Sequence, residues 1–363
     1  MQIEICRDEF MAKLGDYANF IMGQAPASSE CNSNGVGTPF VKAGKFGLST
    51  PVMDEWTTNP LKMASNKDIL ICVVGATSGK LNRGVECAIG RSVAAIRPNE
   101  KTIRDYIYYG LHPWIKRLRG GSQGSAIGVI TKDMLDAVEM PFPEKERQKE
   151  IVKTLSLIEN IIEKRKEELK KFDTLIKARF VEMFGDLNIN PKGWVLKPFD
   201  ELTYLITDGE HSTPRRSDKG IYLLSARNVL NHALQLEDVD YIDEEEYERI
   251  ARRIIPQAGD VLLSCSGTVG RCCCVPDGLK FQMVRSTAIL RFKEELNPVF
   301  AEYMIASDYV QKQIDKSKTA SSQANLFQGK IAKLKGFVPP RALQDEFLLF
   351  VEQVNKSKFV FLI

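Results

Sequence analysis

At 363 residues the chain is long enough for two or three domains, each with a core of its own. Its 44% apolar and 27% charged content is ordinary for a globular protein, and a net charge of +3 excludes a polybasic tail protein. Any anionic partner must therefore be met by local positive charge. The N-terminus, MQIEICRDEF, meets charge before any apolar run, so no secretory leader is expected. No stretch approaches the roughly 18 uninterrupted apolar residues of a membrane span. There are eight cysteines and no CxxC pair. Cys272, Cys273 and Cys274 are consecutive, and neighbours on a strand point to opposite faces, so they cannot converge on one metal. They read as small buried apolar residues in a reducing cytoplasm.

Along the chain, β-branched and aromatic runs at 69–74, 221–224, 261–263 and 287–292 alternate with Gly, Pro, Asn and Asp turns, and helices are expected at 104–119 and 299–315. That predicts twisted β-rich domains carrying some helices. Pro143 suits a first helical turn, where its missing N–H has no partner to lose. Apolar residues then recur at spacings of four and three, at Ile151, Leu155, Ile158, Ile162, Leu169, Phe172, Ile176 and Met183. Only Arg165 and Arg179 break the series, and Lys and Glu fill most of the remainder. This is a coiled-coil seam of about four heptads on a helix of about 60 Å, closed by Gly185 and the Asn190-Pro191 turn. The seam resumes at Leu343, Phe347, Phe350, Val354 and Phe361, with Ser357 a weak member. An apolar seam is unstable alone, so the two helices are expected to pack antiparallel. The alternative is two separate amphipathic helices, each on its own domain.

The chain also repeats itself. Residues 67–97 and 259–291 each hold an aspartate (Asp68, Asp260), an apolar run and a Gly-Thr-Gly element (Gly75, Thr77 and Gly79; Gly267, Thr268 and Gly270). Both close with Arg-Ser before a second apolar run (Arg91-Ser92, Arg285-Ser286), at an offset of 191–194 residues throughout. Gly121-Ser122-Gln123 is echoed by Ser321-Ser322-Gln323, and the proline-bearing turn into a helix with Gln148 is echoed by one with Gln344. Four matched points in one order argue for duplication. The expected fold class is α+β, a pseudo-two-fold repeat of two β-rich domains, 1–140 and 187–338. Long antiparallel coiled-coil helices separate them, a central one at 141–186 and a shorter distal one at 339–363.

No catalytic signature survives inspection. The 75–80 segment has three residues between its glycines and Leu81 after its lysine, which is not a phosphate loop, and its second copy has no lysine. After Pro276-Asp277 no Asp or Glu before residue 318 has Lys two positions on, as a magnesium-dependent nuclease would need. Asn59-Pro60-Leu61 is not the Asn/Asp-Pro-Pro-aromatic element of amino-methyl transfer. His112, His211 and His232 form no metal pair and no triad, and read as surface or loop residues. No catalytic or metal-binding residue is expected, and the chain reads as a binding protein.

The Gly-Asp-(apolar)₃-Ser-x-Ser-Gly-Thr-x-Gly block at 259–270, its weaker copy at 68–79, the glutamine-bearing helix starts, Phe-Asp-x-Leu at 199–202, Thr-Asp-Gly-Glu-His-Ser-Thr-Pro at 207–214 and Ser-Ala-Arg-Asn-Val at 225–229 together resemble the specificity subunits of type I restriction-modification systems. The resemblance covers nearly the whole chain. It implies two target-recognition domains, each reading half of a split double-stranded DNA site, with helices at 144–184 and 341–363 as spacer. It further implies assembly with two modification subunits and with restriction subunits. S-adenosylmethionine, ATP and Mg²⁺ would then lie on those partners, with no cofactor on this chain. About 23 residues follow Pro340, against about 41 in the central helix, so an incomplete antiparallel pair is expected. A type II-like specificity subunit and a truncated stand-alone DNA-binding variant would share the same binding role.

Base edges are read by Arg, Lys, Asn and Gln, and phosphates are held by Lys, Arg, Ser and backbone N–H groups. In the first domain the candidates are Gln24, Lys42 and Lys45 in a Gly-rich loop, and Lys116, Arg117, Arg119, Ser122 and Gln123 about the Gly120-Gly121 turn. In the second they are His211, Thr213, Arg215, Arg216, Lys219, Arg227 and Asn228, with a further set of Lys316, Lys318, Ser322, Gln323, Asn325 and Lys330. Loops on a rigid scaffold commonly carry function.

Overall fold

The computed structural model describes residues 11–120, 128–319 and 324–362, with side chains to residue 358. The chain divides into two compact units, Met1–Lys164 and Arg165–Ile363. One continuous helix, Lys145–Phe184, contributes its first half to one unit and its second half to the other.

The core of the first unit is an antiparallel sheet in the order Ala18–Met22, Val93–Pro98, Ile69–Cys72, Leu81–Arg83. That of the second runs Thr203–Asp208, Thr287–Phe292, Val261–Ser264, Cys272–Cys274, the same order from the equivalent segments. Both faces of each sheet are covered. Ile69 and Ile71 pack towards the helices, while Leu70 and Cys72 pack towards a second group of strands. Val261 and Leu263 pack to one side and Leu262 to the other in the same way. A strand buried on both faces reads as an unbroken apolar run, which is why these segments do not alternate. Among the described residues each unit also holds a parallel strand pair, Thr38–Val41 with Cys87–Ile89 and Ile221–Leu224 with Phe281–Met283.

The repeated residues are structural. Asp68 and Asp260 are fully or almost fully buried, and each receives a two-pronged bond from an arginine. Arg97 donates Nε and Nη2 at 2.8 Å, and Arg291 does so at 2.7 and 2.8 Å. A backbone N–H, from Ser65 or Gln257, adds a further bond at 2.8 Å in each. A buried carboxylate is tolerable only when so satisfied. Gly75, Gly79, Gly267 and Gly270 all have φ between 72° and 99°, a region costly for residues with a Cβ. Gln148 and Gln344 are fully buried at the helix starts. Gln148 accepts from Thr102 Oγ1 at 2.8 Å and donates to the Pro143 carbonyl at 2.7 Å. Gln344 accepts from Asn297 N at 2.8 Å and donates to the Pro339 carbonyl at 2.9 Å.

The seam is divided. Ile151 packs on the core of the first unit, and Leu155 is half-buried. Ile158 and Ile162, both expected seam positions, are 46% and 48% exposed, so no described residue covers this stretch of the stripe. Leu169 is half-buried, and the seam is then covered from Phe172 through Ile176, Phe180 and Met183. The distal helix, Arg341–Leu362, supplies the cover through Leu343, Phe347, Phe350, Val351 and Val354. Ion pairs from Arg179 to Glu346 at 2.8 Å and from Lys358 to Asp173 at 2.5 Å show that the two run antiparallel. Heptad spacing marks an apolar stripe but not what covers it. Here one stretch meets a domain and another meets a helix.

Cys272 and Cys273 are buried and Cys274 half-buried, and burial pushes all three thiols well up. His232, expected on a loop surface, adopts a left-handed turn (φ 63°), bonds the buried Glu302 and stacks on Tyr303 with ring centroids 4.1 Å apart. No helix among the described residues is long and apolar enough to cross a membrane.

Candidate nucleic-acid interface

In the first unit Lys42 precedes and Lys45 ends the short helix Ala43–Lys45, whose Ala43 N–H donates to Ser92 Oγ at 3.1 Å. Lys42 pairs with Glu55 at 2.6 Å and lies 5.5 Å from the Phe40 ring. Lys45 pairs with Asp54 at 2.8 Å, and this bond holds its ammonium above the ordinary lysine range. Gln24 is exposed at the end of a core strand. Lys116, Arg117 and Arg119 are exposed on the helix Ile115–Gly120. Arg117 lies over Trp114 at 4.8 Å, and Arg119 donates to the Ala76 carbonyl at 3.0 Å. Ser122 and Gln123, and their counterparts Ser322 and Gln323, lie outside the described residues.

In the second unit an acidic rim meets the cations. Arg215 pairs with Asp243 at 3.0 Å and Glu245 at 2.8 Å, while Arg216 and Arg227 share Asp240 at 3.0 and 2.9 Å. Exposed ion pairs contribute at most about 1 kcal/mol, so these side chains can exchange partners for phosphate. Thr213, Lys219, Lys316 and Lys330 are exposed, and Lys318 pairs with Asp315 at 2.6 Å. Asn228 is a correction: it is fully buried. Its amide donates to the Gln235 and Asp238 carbonyls, and its oxygen accepts from Ser225 N–H, so it shapes the loop instead of facing a ligand. Asn325 is half-buried and accepts from Ser266 Oγ at 2.6 Å.

Two residues emerge that charge and loop position alone do not single out. Arg91 and Arg285 are exposed, and their guanidinium groups make no hydrogen bond or ion pair with other described residues. Each precedes a serine that holds a loop: Ser92 takes Ala43 N–H, and Ser286 takes Ala226 N–H at 3.0 Å. The repeated Arg-Ser was visible in sequence, but as a landmark of duplication.

Arg285 lines a groove of about 430 Å³ with Asp208, His211, Asn325, Phe327 and Gln328. Burial pushes the Asp208 carboxyl up, but bonds from His211 at 3.0 Å and Arg253 at 2.9 Å outweigh it and hold it below the usual carboxylate range. An uncommitted guanidinium can donate two parallel bonds to a phosphate or to the O6/N7 edge of guanine. The site therefore offers donors on a rigid frame. No cluster of three or more His, Cys, Asp or Glu residues that could hold a metal occurs among the described residues.

Residues 9–171 match the family model for the type I restriction modification DNA specificity domain. Over 179 residues the chain is 38% identical to the protein named as the MjaX type I restriction enzyme specificity subunit of Methanocaldococcus jannaschii, covering 46% of this chain and 41% of that protein. The match thus spans under half the length of that relative. Over 359 residues it is 20% identical to the MjaVIII type I restriction enzyme specificity subunit of the same organism, covering 88% of this chain and 80% of that one. Among solved structures, the S subunit of the type I restriction-modification system from M. genitalium shares the fold, with a TM-score of 0.54 and 13% identity over 99% of this chain and 93% of that one. Residues 9–171 thus match the DNA specificity domain of type I restriction-modification systems, and the chain is similar to type I specificity subunits.

Proposed function

We propose that this chain is the non-catalytic, DNA-reading subunit of a type I restriction-modification complex in the cytoplasm. Each unit reads one half of a split duplex site, and the helices set the gap between the halves. Two modification subunits dock on the chain and carry S-adenosylmethionine and methyl transfer. Restriction subunits, with ATP and Mg²⁺, join for cleavage.

The observation that carries this reading is the duplication itself. The same sheet order, the same buried Asp–Arg pair and the same glutamine anchor recur, with an arginine that has no partner among the described residues at the same place in each unit. A scaffold held constant twice, with different loops around it, suits two readers of two different half-sites. Phosphate contacts would position each unit, and loop side chains would read bases.

The test is co-expression with the cognate modification subunit, followed by sequencing of the host methylome. A new split motif methylated in both halves is expected. A complex that forms and methylates no split motif, or a chain that recruits no modification subunit, would overturn the reading.

A further inference from the structure

After the core sheet, each unit turns into a short helix in the same way. In the first, Ile130 N–H donates to the Val73 carbonyl at 2.8 Å, and the next residue, Thr131, caps the helix Lys132–Asp136 by accepting from Met134 N–H at 3.3 Å. In the second, Leu326 N–H donates to the Cys265 carbonyl at 2.9 Å, and the next residue is Phe327, ahead of the helix Gln328–Ile331. Ser, Thr, Asp and Asn are favoured at such a position because their oxygens accept from the first free N–H groups. Phenylalanine has no acceptor, and Phe327 makes no capping bond. It is also 63% exposed.

A single exposed apolar side chain is unremarkable in itself. Here two local preferences fail at one residue, where the equivalent position in the same chain satisfies the capping preference. Breaches without structural compensation concentrate at functional positions. The neighbours say which function. Phe327 lines the groove that holds the exposed Arg285, with His211, Asn325 and Gln328 beside it and the exposed Lys330 three residues on. The surround is polar, with Arg285 and Lys330 as cations and the Asp208 carboxylate already bonded by Arg253 and His211, which suits a duplex whose phosphates and base edges take the remaining donors. The one apolar group on the major-groove edges of base pairs is the thymine 5-methyl.

We propose that Phe327 is a specificity-determining residue of the second unit, packing against the methyl group of a thymine in the half-site which that unit reads. The assignment rests on the specificity function proposed above.

The test compares the wild-type chain, Phe327→Ser and Arg91→Ala, each co-expressed with the cognate modification subunit, with the methylated motif read from host DNA. Serine restores a cap, so the thermal midpoint of Phe327→Ser should be no lower than wild type. Its motif should relax at one T·A position, by about fivefold or more against the other bases. That position should lie in the half-site which Arg91→Ala leaves intact. An unchanged motif, or a uniform loss across both halves, would overturn the assignment. A wild-type chain that yields no split motif would overturn the specificity reading and this assignment with it.

Discussion

The two units share a scaffold and hold the helices by different chemistry. In the first, Arg83 is the hub. It pairs with Asp105 at 3.0 Å and with Glu159 of the central helix at 2.8 Å, lies 4.3 Å from the Tyr108 ring, and is joined by Tyr109, whose hydroxyl donates to Glu159 at 2.6 Å. In the second, the grip is aromatic. Phe180 and Phe184 of the central helix meet Phe347 of the distal helix with ring centroids 5.5 and 5.8 Å apart, and Tyr303 closes on Phe347 at 5.4 Å. The residues that set the frame recur in both units, while the contacts to the helices differ.

The largest effect expected is at the aromatic grip. Phe347 is fully buried, so Phe347→Ala should cost about 3–5 kcal/mol in chemical denaturation, from lost transfer and a cavity. A loss below about 1 kcal/mol would mean the distal helix is not held there. Next, Asp68→Ala and Asp260→Ala should each cost about 2–3 kcal/mol, because each strips a charged hydrogen-bond network. The prediction is sharpest in its symmetry: one large and one negligible effect would break the equivalence of the two frames.

Arg83→Ala should cost less, about 1–2 kcal/mol, since its carboxylate partners are partly solvated. Its signature is pH dependence. The bond from Arg83 holds the Glu159 carboxyl below its ordinary range. A depressed carboxylate contributes stability that is fully present above its unfolded value and is lost as pH falls through the folded one. Wild-type stability should therefore decline on acidification below about pH 5 more steeply than that of Arg83→Ala. Equal slopes would remove Glu159 from the grip. The smallest stability effect belongs to Arg215→Ala with Arg216→Ala, within about 1 kcal/mol for exposed pairs. In the assembled complex that double change should weaken DNA binding and flatten its dependence on salt, measured by titration at several ionic strengths.

Much of the frame was legible because duplication marks it twice. Asp68 with Asp260, the positive-φ glycines and Gln148 with Gln344 all stood out, and all proved to hold turns and helix starts. Arg97 and Arg291 did not, because an arginine inside an apolar strand gives no sign of the buried carboxylate it faces. The candidate interface was harder to read. Arg216 and Arg227 look alike in sequence as free loop cations, yet both meet Asp240, which hydrophobic pattern cannot bring near them. Asn228 shows the reverse error, since a polar residue in a loop looks the same whether it faces solvent or, as here, ties the loop to itself.

The most direct test lies in the matched arginines. Arg91→Ala and Arg285→Ala, each co-expressed with the cognate modification subunit, should degrade opposite halves of the methylated motif, one change per half. If both alter the same half, or neither alters the motif, the two units are not independent readers and the account fails.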